Sequence, residues 1–507
     1  MTDMTTTSLG VNDLASALRQ RPRARVIVGA HAGRDGVSAA RSAMALNAVL
    51  GIDAADLTTR EFTGRRWELC EAVVSAPDGT RLTVVVVGLG SPGVLSDADV
   101  FHAAVASAGD GATLSLLALD GDTQRAAAMA AEGHAIGRWR YGRSNADIVD
   151  GTHANADAGT DDLVVVGETA AAPSEFERAT RVADAVNWVR RLVETPANLL
   201  GPVEFADEIV AFADRTPGVE ARVWSTQTAS DHGFGATLAV GAGSRRSPAV
   251  VELKTTGDRP VVGLAGKGIV FDAGGIDLKR DQQEISWMKT DMAAAASVAA
   301  AALTAVALGT PYDLHVILPV AENLPGGDAL RPGDVIGHPG GRTTEVLDTD
   351  CEGRLVLADA VAWLSATAPA MLIDVGTLTD SGALGTAYWG CWGSSTGLAA
   401  SLVSHGTEVG DPGWHLPLHR DYDALLTSRV ADSANTSFDV PDTGVIAATF
   451  LRPFAGDVPW VHIDNGSSAW LERPGGAWQS GPTGTPTRAL IEFLTASPTP
   501  EMKDARS

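Results

Sequence analysis

Cysteine is scarce in this chain of 507 residues. The three cysteines, Cys70, Cys351 and Cys391, are widely separated and form no CxxC pair, which argues against a disulfide framework and favours a reducing compartment. The N-terminus has no basic segment followed by an apolar one, and no apolar run reaches the roughly 18 residues that span a bilayer. We therefore expect a cytoplasmic protein with no membrane association.

Positive charge is also in short supply, since the formal net charge is -24 at pH 7. The acidic charge therefore argues against a nucleic-acid partner, because binding to phosphates requires a basic excess that displaces counterions. The hydrophobic content of 45% and the charged content of 20% are typical of a soluble globular protein. Solubility is the simplest interpretation of the acidity.

Only five residues are lysine, although arginine is common. The lysines are Lys254, Lys267, Lys279, Lys289 and Lys503. Three of them fall between 267 and 289. An amine can lose its proton where a guanidinium cannot, so the grouping indicates positions that require an amine. The alternative is chance clustering on one solvated face.

The length predicts two domains, since it exceeds what one ordinary core accommodates. Short apolar runs alternate with helical patterns, which predicts an α/β fold in both domains. A long amphipathic helix is predicted over 174–196, with the domain boundary just before or within it. We expect a smaller N-terminal α/β domain over 1–170. A larger C-terminal domain over 171–500 would have a mixed sheet flanked by helices.

Two glycine-rich segments leave alternatives open. Gly88-x-Gly90-x-x-Gly93 follows a predicted strand and matches a dinucleotide fingerprint in its letters, but Pro92 interrupts it and no helical pattern follows directly. A turn that ends the strand is the favoured interpretation. The segment GAGSRRSP at 241–248 is either a phosphate-binding loop or, as we favour, a structural turn.

A predicted strand over 260–266 leads into a segment rich in charged residues. Lys267 and Asp272 lie around the end of this strand, and Gly274 and Gly275 allow a tight turn or close approach to a ligand. Asp291 follows at the start of a helical pattern. We therefore expect the carboxylate of Asp291 to point back toward the strand ends.

A second charged segment, DTDCEGR at 348–354, precedes a helix predicted to begin at Leu355. In an extended loop the side chains of Asp350, Glu352 and Arg354 point the same way. Each carboxylate alone is most simply a helix cap or a solvated group. Together with Asp272 and Asp291 they would repel one another unless cations lay between them. Shared carboxylates suit two divalent ions, so we predict a dinuclear metal site.

The motifs GKGIVFDAGGIDLK, MKTDM, AENLPGGDALRPGDV and DTDCEGRL resemble those of the leucine aminopeptidase family of dinuclear metallopeptidases. The resemblance extends over 194–202, 239–248, 374–379 and 462–470 and covers essentially the whole C-terminal domain. The N-terminal domain is similar only in size and character. The resemblance implies a metallo-exopeptidase that removes an N-terminal residue, Leu-like or broad, from peptides with a free N-terminus. It also implies a homohexamer made of two trimers.

The resemblance further implies a role for each metal ligand. Lys267 would bind one ion through a neutral amine, and Asp291 would complete that site. Asp272 and Glu352 would bridge both ions, while Asp350 would complete the second site. The ions would be zinc or manganese, with magnesium also compatible.

Two cationic residues have roles in catalysis under the same resemblance. Lys279 would stabilise the developing oxyanion. Arg354 would hold a bicarbonate ion that acts as the general base. The metals and the bicarbonate are the expected cofactors.

The chain departs from the family pattern outside the metal ligands. Ala293 and Ala294 replace a usual Gly-Gly pair, Ala273 replaces Ser, and Asp348 replaces Asn. The segment FDVPDTG at 438–444 differs from a usual glycine-rich turn. Since these positions would contact substrate, we expect the departures to alter specificity before activity.

Two other functions remain open on the sequence. A non-catalytic or regulatory relative that binds DNA is one, although the acidic charge opposes it. A dinuclear phosphoesterase is the other, because carboxylate clusters with arginine also suit phosphoryl transfer. The lysine ligand and the scarcity of histidine near the motifs argue against it, and no HExxH motif occurs.

Overall fold

The computed structural model describes residues 6–21, 23–33, 36–52, 57–75, 79, 81–121, 123, 125–141, 162–168, 170–379 and 384–497. The chain divides into two compact units. The first runs to Asn187 and also takes in 408–410 and 473–480, and the second comprises the rest. The division therefore falls inside the long helix, which spans Pro173–Glu194. The domain boundary at residue 170 stays a prediction.

The first unit is built on a seven-stranded sheet. Its strands are β1 Thr6–Gly10, β2 Arg25–Gly33, β3 Gly36–Ala39, β4 Leu69–Ser75, β5 Arg81–Gly88, β6 Thr113–Ser115 and β7 Leu163–Gly167. The order is β1-β7-β6-β2-β5-β4, with β3 paired to β2. Pairing is parallel except for β3 and β4. The valine side chains of the central strands are buried on both faces of the sheet, as is typical of parallel strands.

Five helices in the described part of the chain belong with this sheet. They are α1 Leu14–Gln20, α2 Arg41–Leu50, α3 Asp97–Ser107, α4 Ala126–Gly137 and the beginning of α5 Pro173–Glu194. Eight residues separate the end of β5 from α3 at Asp97, so Gly88-x-Gly90-x-x-Gly93 is a turn that ends a strand. A side chain at Gly88 would overlap the carbonyl oxygen of Arg65, which explains the glycine.

The second unit has a nine-stranded mixed sheet. Its strands are β8 Glu220–Trp224, β9 Ala249–Lys254, β10 Val261–Gly266, β11 Gly268–Asp272, β12 Asp313–Asn323, β15 Met371–Gly376, β16 Trp389–Gly393, β17 Gly413–His415 and β19 Trp460–Asp464. The order is β17-β16-β19-β15-β10-β12-β9-β8, with β11 paired to β12. The neighbours β19, β15, β10 and β12 are parallel. Antiparallel pairs at both sides make the sheet mixed, which confirms the predicted fold class.

Shorter elements complete the second unit. The small strands are β13 Val335–Gly337, β14 Thr343–Glu345, β18 Ser433–Ala434, β20 Trp470–Leu471 and β21 Gly481–Pro482. The remaining helices are α6 Pro202–Ala213, α7 Thr226–Asp231, α8 Gly235–Val240, α9 Gln282–Trp287, α10 Ala293–Ala307, α11 Glu352–Ala366, α12 Thr396–Glu408, α13 Gly444–Ala455, α14 Gly466–Ala469 and α15 Thr487–Thr495.

The alanine-rich helix α10 is a core helix. Every residue from Ala293 to Ala305 is buried. The stretch Gln282–Ala307 is long and apolar enough to cross a membrane by length and composition, but 89% of its apolar window is buried inside the fold. Small side chains let α10 approach the sheet closely, because a Cβ on Gly266 would lie 2.7 Å from Ala295 Cα.

We predict that Gly266→Ala destabilises the protein by about 1–3 kcal/mol, because backbone leaves no room for the added methyl group. The midpoint of thermal unfolding, followed by circular dichroism, measures the effect. Gly327→Ala is the control, since Gly327 is exposed and its Cβ would meet nothing within 4 Å. Equal midpoints for the two variants would contradict the close packing of α10 on β10.

Candidate metal centre

The parallel strands bring their carboxyl ends to one edge of the sheet, where α/β proteins bind ligands. Lys267 directly follows β10, and Thr377 directly follows β15. Asn323 ends β12, and Asp272 ends β11. After Lys267 the chain continues into β11, which pairs with β12. Asp272 therefore lies at the end of a separate strand from the one that Lys267 follows.

Three of the predicted carboxylates form a compact group. One oxygen each from Asp272, Asp350 and Glu352 can be chosen so that all three lie within 4.8 Å of one another. Asp272 and Glu352 are almost fully buried, whereas the Asp350 side chain is 31% exposed. The group therefore has one side open to solvent.

The two lysines connect this group to the fourth carboxylate. Lys267 Nζ lies 2.7 Å from Asp291 Oδ1 and 2.8 Å from Glu352 Oε1. Lys279 Nζ lies 2.9 Å from Asp272 Oδ2 and 2.6 Å from Asp350 Oδ1. We call these six residues the carboxylate cluster: Lys267, Asp272, Lys279, Asp291, Asp350 and Glu352.

Negative charge dominates the cluster. Burial raises the pKa of Asp350 to about 8, and repulsion from Asp272 and Glu352 adds to the shift. Burial likewise raises the pKa of Glu352, with Asp272 contributing. The pKa of Asp291 is raised well above its ordinary value by burial, and the negative charges of Glu352 and Asp272 add to it. Two lysines are thus too few to neutralise the four carboxylates.

The neighbouring carboxylates raise the pKa of both lysines, against the effect of burial. Burial by itself lowers the pKa of the Lys267 amine, but the charges of Asp291 and Glu352 outweigh burial and leave the pKa raised. The pKa of Lys279 is raised in the same way, by Asp272 and its neighbours against burial. A neutral Lys267 amine, which the resemblance implies, therefore calls for added positive charge in the cluster.

Unpaired oxygens within the cluster show that divalent cations fit it. Asp291 Oδ2 and Glu352 Oε2 are buried without a hydrogen-bond partner among the described residues. Buried carboxylate oxygens ordinarily have donors or cations against them. The donors available, carboxylate oxygens and an amine nitrogen, are hard ligands that suit divalent ions.

Helix α11 begins at Glu352, so the helix start predicted at Leu355 is wrong. The preceding turn is closed by one hydrogen bond of its own and one from a remote loop, since Asp350 N donates to Asp348 Oδ1 and Asn435 Nδ2 donates to Asp348 O. The chain therefore enters the helix early. Arg354 lies two residues beyond Glu352, about 200° around the helix, and the predicted common direction of the two side chains is also wrong.

Glycines make room for the cluster. Gly274 and Gly275 have φ of +87° and +69°, which confirms the predicted tight turn after Asp272. A Cβ on Gly353 would lie 2.6 Å from Lys267 Nζ. Because Lys267 is itself buried, only glycine at 353 leaves its amine in place.

Two polar residues that orient the cluster were missed by the sequence reasoning. Asn323 Nδ2 donates to Asp272 Oδ1 at 2.8 Å. Thr377 Oγ1 donates to Asp291 Oδ1 at 2.7 Å, and its carbonyl oxygen accepts from Lys267 Nζ at 2.8 Å. Asn323 lies in the motif AENLPGGDALRPGDV and Thr377 lies in the range 374–379, and each ends or directly follows a strand. Those two signals together could have identified both.

Arg354 is not one of the six cluster residues, and it pairs with a residue that we also missed. Its Nη1 lies 2.8 Å from Asp442 Oδ1 and its Nη2 lies 2.5 Å from Asp442 Oδ2. Asp442 belongs to the segment 438–444, which differs from the usual glycine-rich turn of the family, and it lies 88 residues from Arg354 in sequence. The charges in that segment were the available signal.

The segment at 241–248 is a structural turn. Arg246 Nη1 donates to Ala197 O, and its Nη2 donates to Asn198 O. Glu322 pairs with the same guanidinium at 3.1 Å. These contacts occupy the arginine with backbone and carboxylate groups, which favours the turn over a phosphate site.

Residues 187–491 match the family model described as the cytosol aminopeptidase family, catalytic domain. The chain belongs to this family. All residues of the carboxylate cluster and Arg354 lie within the match, and the family makes the chain a metallo-aminopeptidase. The resemblance inferred from the motifs is confirmed.

Relatives and solved structures agree with this membership. The probable cytosol aminopeptidase of Streptomyces coelicolor is 36% identical over 495 residues, covering 92% of this chain and 94% of the relative. That of Leifsonia xyli subsp. xyli is 35% identical, covering 87% and 90%. The bottromycin maturation enzyme BotP is similar with a TM-score of 0.79 and 32% identity, covering 93% of this chain and 98% of BotP. BotP in complex with Mn gives 0.78 at the same identity and coverage.

We predict that Gly353→Ala weakens Mn²⁺ binding by about 10- to 100-fold, because the added methyl group displaces the Lys267 amine. Isothermal titration of the metal-free enzyme with Mn²⁺ measures the affinity. Gly327→Ala again serves as the control and should bind as the wild type does. Unchanged affinity in Gly353→Ala would show that Lys267 is not a metal ligand.

Proposed function

We propose that this metallo-aminopeptidase removes the N-terminal residue, Leu-like or broad in preference, from peptides by means of two divalent ions. The carboxylate cluster at the strand ends is the observation that carries the proposal. Lys267 and Asp291 would hold one ion, and Asp350 would hold the other. Asp272 and Glu352 would bridge the two.

When bound, the ions would lower the pKa of a water molecule and polarise the peptide carbonyl group. The protein's own residues supply the remaining contributions. The Lys279 ammonium, at the side of the cluster where Asp350 is partly exposed, would stabilise the oxyanion that develops on the carbonyl oxygen. Asn323 and Thr377 would hold the carboxylates of Asp272 and Asp291 in orientation by hydrogen bonds.

The excess of carboxylates over lysines also supports exopeptidase action. The carboxylates that the lysines do not neutralise would hold the two ions, and a free α-amino group has a lone pair that can bind one of those ions. An acylated amine has no such lone pair, so a blocked N-terminus lacks this recognition. The proposal therefore restricts substrates to peptides with a free N-terminus.

The identity of the ions, the assembly and the location are finer parts of the proposal. Oxygen ligands discriminate poorly between divalent metals, so manganese, zinc and magnesium all suit the donor set. The similarity to a structure of BotP in complex with Mn favours manganese. A homohexamer and a cytoplasmic location rest on the family resemblance and the family name. A bicarbonate ion on Arg354 would have to compete with Asp442.

We predict that the Mn²⁺-loaded enzyme hydrolyses leucine p-nitroanilide and Leu-containing dipeptides. EDTA should stop the reaction, and added Mn²⁺ should restore it. N-acetyl-leucine p-nitroanilide should resist, because its amine is blocked. Release of p-nitroaniline, read by absorbance, measures all three results.

Two outcomes would contradict this proposal. Failure on a panel of free-amine peptides, with Mn²⁺, Mg²⁺, Zn²⁺ and Co²⁺ each supplied, would remove the aminopeptidase activity. Cleavage of the acetylated substrate at a similar rate would contradict only the requirement for a free N-terminus.

We predict that Glu352→Ala lowers kcat by about 100-fold or more, since a lost bridging carboxylate removes several kcal/mol of stabilisation from the transition state. Glu472→Ala is the matched control, because Glu472 is an exposed glutamate outside the cluster. Steady-state kinetics with leucine p-nitroanilide compares the two. A Glu352→Ala enzyme that keeps most of its activity would show that the site is wrongly identified.

A further inference from the structure

Arg354 is a buried cation beside the carboxylate cluster. Its side chain is 1% exposed, and it stands two residues beyond Glu352 on α11. A buried charge requires a partner of opposite sign, since its desolvation is otherwise uncompensated. Among the described residues the ion-pair partner of Arg354 is Asp442. Arg354 Nη1 makes one further bond, to Asn435 O at 3.0 Å.

The pair has the two-pronged geometry in which a guanidinium binds a planar carboxylate. Each terminal nitrogen of Arg354 meets one oxygen of Asp442, at 2.8 Å and 2.5 Å. A bicarbonate ion also presents two oxygens on one carbon and would use the same two nitrogens. Asp442 and a bidentate bicarbonate therefore exclude each other on Arg354.

Asp442 is held in place yet keeps capacity to accept a proton. Thr436 Oγ1 donates to Asp442 Oδ1 at 3.1 Å, so that oxygen has two donors. Asp442 Oδ2 accepts from Arg354 Nη2, and no second donor to it occurs among the described residues. A carboxylate oxygen accepts at least two bonds. The side chain is 32% exposed, so water can reach it.

We propose that Asp442 is the general base of peptide hydrolysis in this enzyme, in the role that the resemblance gives to a bicarbonate ion from solution. The proposal rests on the function proposed above. An O–H bond of the attacking water breaks, its proton passes to Asp442 Oδ2, and the water oxygen forms a bond to the peptide carbonyl carbon. The C–N bond then breaks, and the proton passes from Asp442 to the leaving nitrogen, which regenerates the carboxylate.

The experiment compares kcat for leucine p-nitroanilide in buffer freed of carbon dioxide, with and without added sodium bicarbonate. Wild type should be unaffected by bicarbonate. Asp442→Ala should lose about 100-fold or more in kcat, within the range for a general base, and bicarbonate should restore at least tenfold by occupying the vacated guanidinium. Asp439→Asn is the control, since Asp439 is an exposed aspartate of the same segment, and it should behave as wild type.

Three results would overturn the proposal. They are a wild-type enzyme that bicarbonate stimulates several-fold, an Asp442→Ala enzyme with at least half of wild-type kcat without bicarbonate, and a loss that bicarbonate does not restore in folded protein. The last would show that Asp442 only supports the fold. If Asp442→Ala fails to fold, the deciding measurement is the kcat of the isosteric Asp442→Asn enzyme without bicarbonate. Wild-type turnover is measured first, so an inactive wild type contradicts the proposed function and leaves Asp442 a separate question.

Discussion

The surplus of buried negative charge at the strand ends is the constraint on which the second unit depends. Four carboxylates share two lysine amines, and burial together with mutual repulsion raises the pKa of Asp291, Asp350 and Glu352. Removing one cation from such a group leaves a buried charge unpaired, which costs several kcal/mol. The cluster is therefore stable as a set of charges only with added cations, and the same cations supply the chemistry of a metallo-aminopeptidase.

The fold brings these charges together through close backbone packing. Parallel strands direct their carboxyl ends to one edge, and Lys267 and Asp272 follow from that topology. The helices next to the other carboxylates must then come close, since α11 begins at Glu352 and α10 begins two residues after Asp291. This explains why Gly353 faces the Lys267 side chain and why α10 is built from alanine. The alanines at 293 and 294 are buried in this contact. Any effect of these two departures on specificity would therefore act through the position of the helix.

Much of the site was predictable because its charged residues lie in short motifs beside recognisable strands. The mixed sheet and the grouping of Lys267, Asp272 and Asp291 followed from local pattern. The start of α11 at Glu352 did not, because it depends on hydrogen bonds from Asn435, which is distant in sequence. Asp442 was missed for the same reason, since no local pattern pairs it with Arg354. What sequence reasoning lacked was contact between remote loops.

A crystal structure of the enzyme soaked in Mn²⁺, with the ions located by anomalous scattering, tests the central claim most directly. We expect two ions about 3.5–4 Å apart, the separation of a shared two-metal site. Lys267 Nζ should bind one of them, and Asp272 and Glu352 should each contact both. A single ion, or two ions with Lys267 still paired to Asp291 and Glu352, would contradict the account.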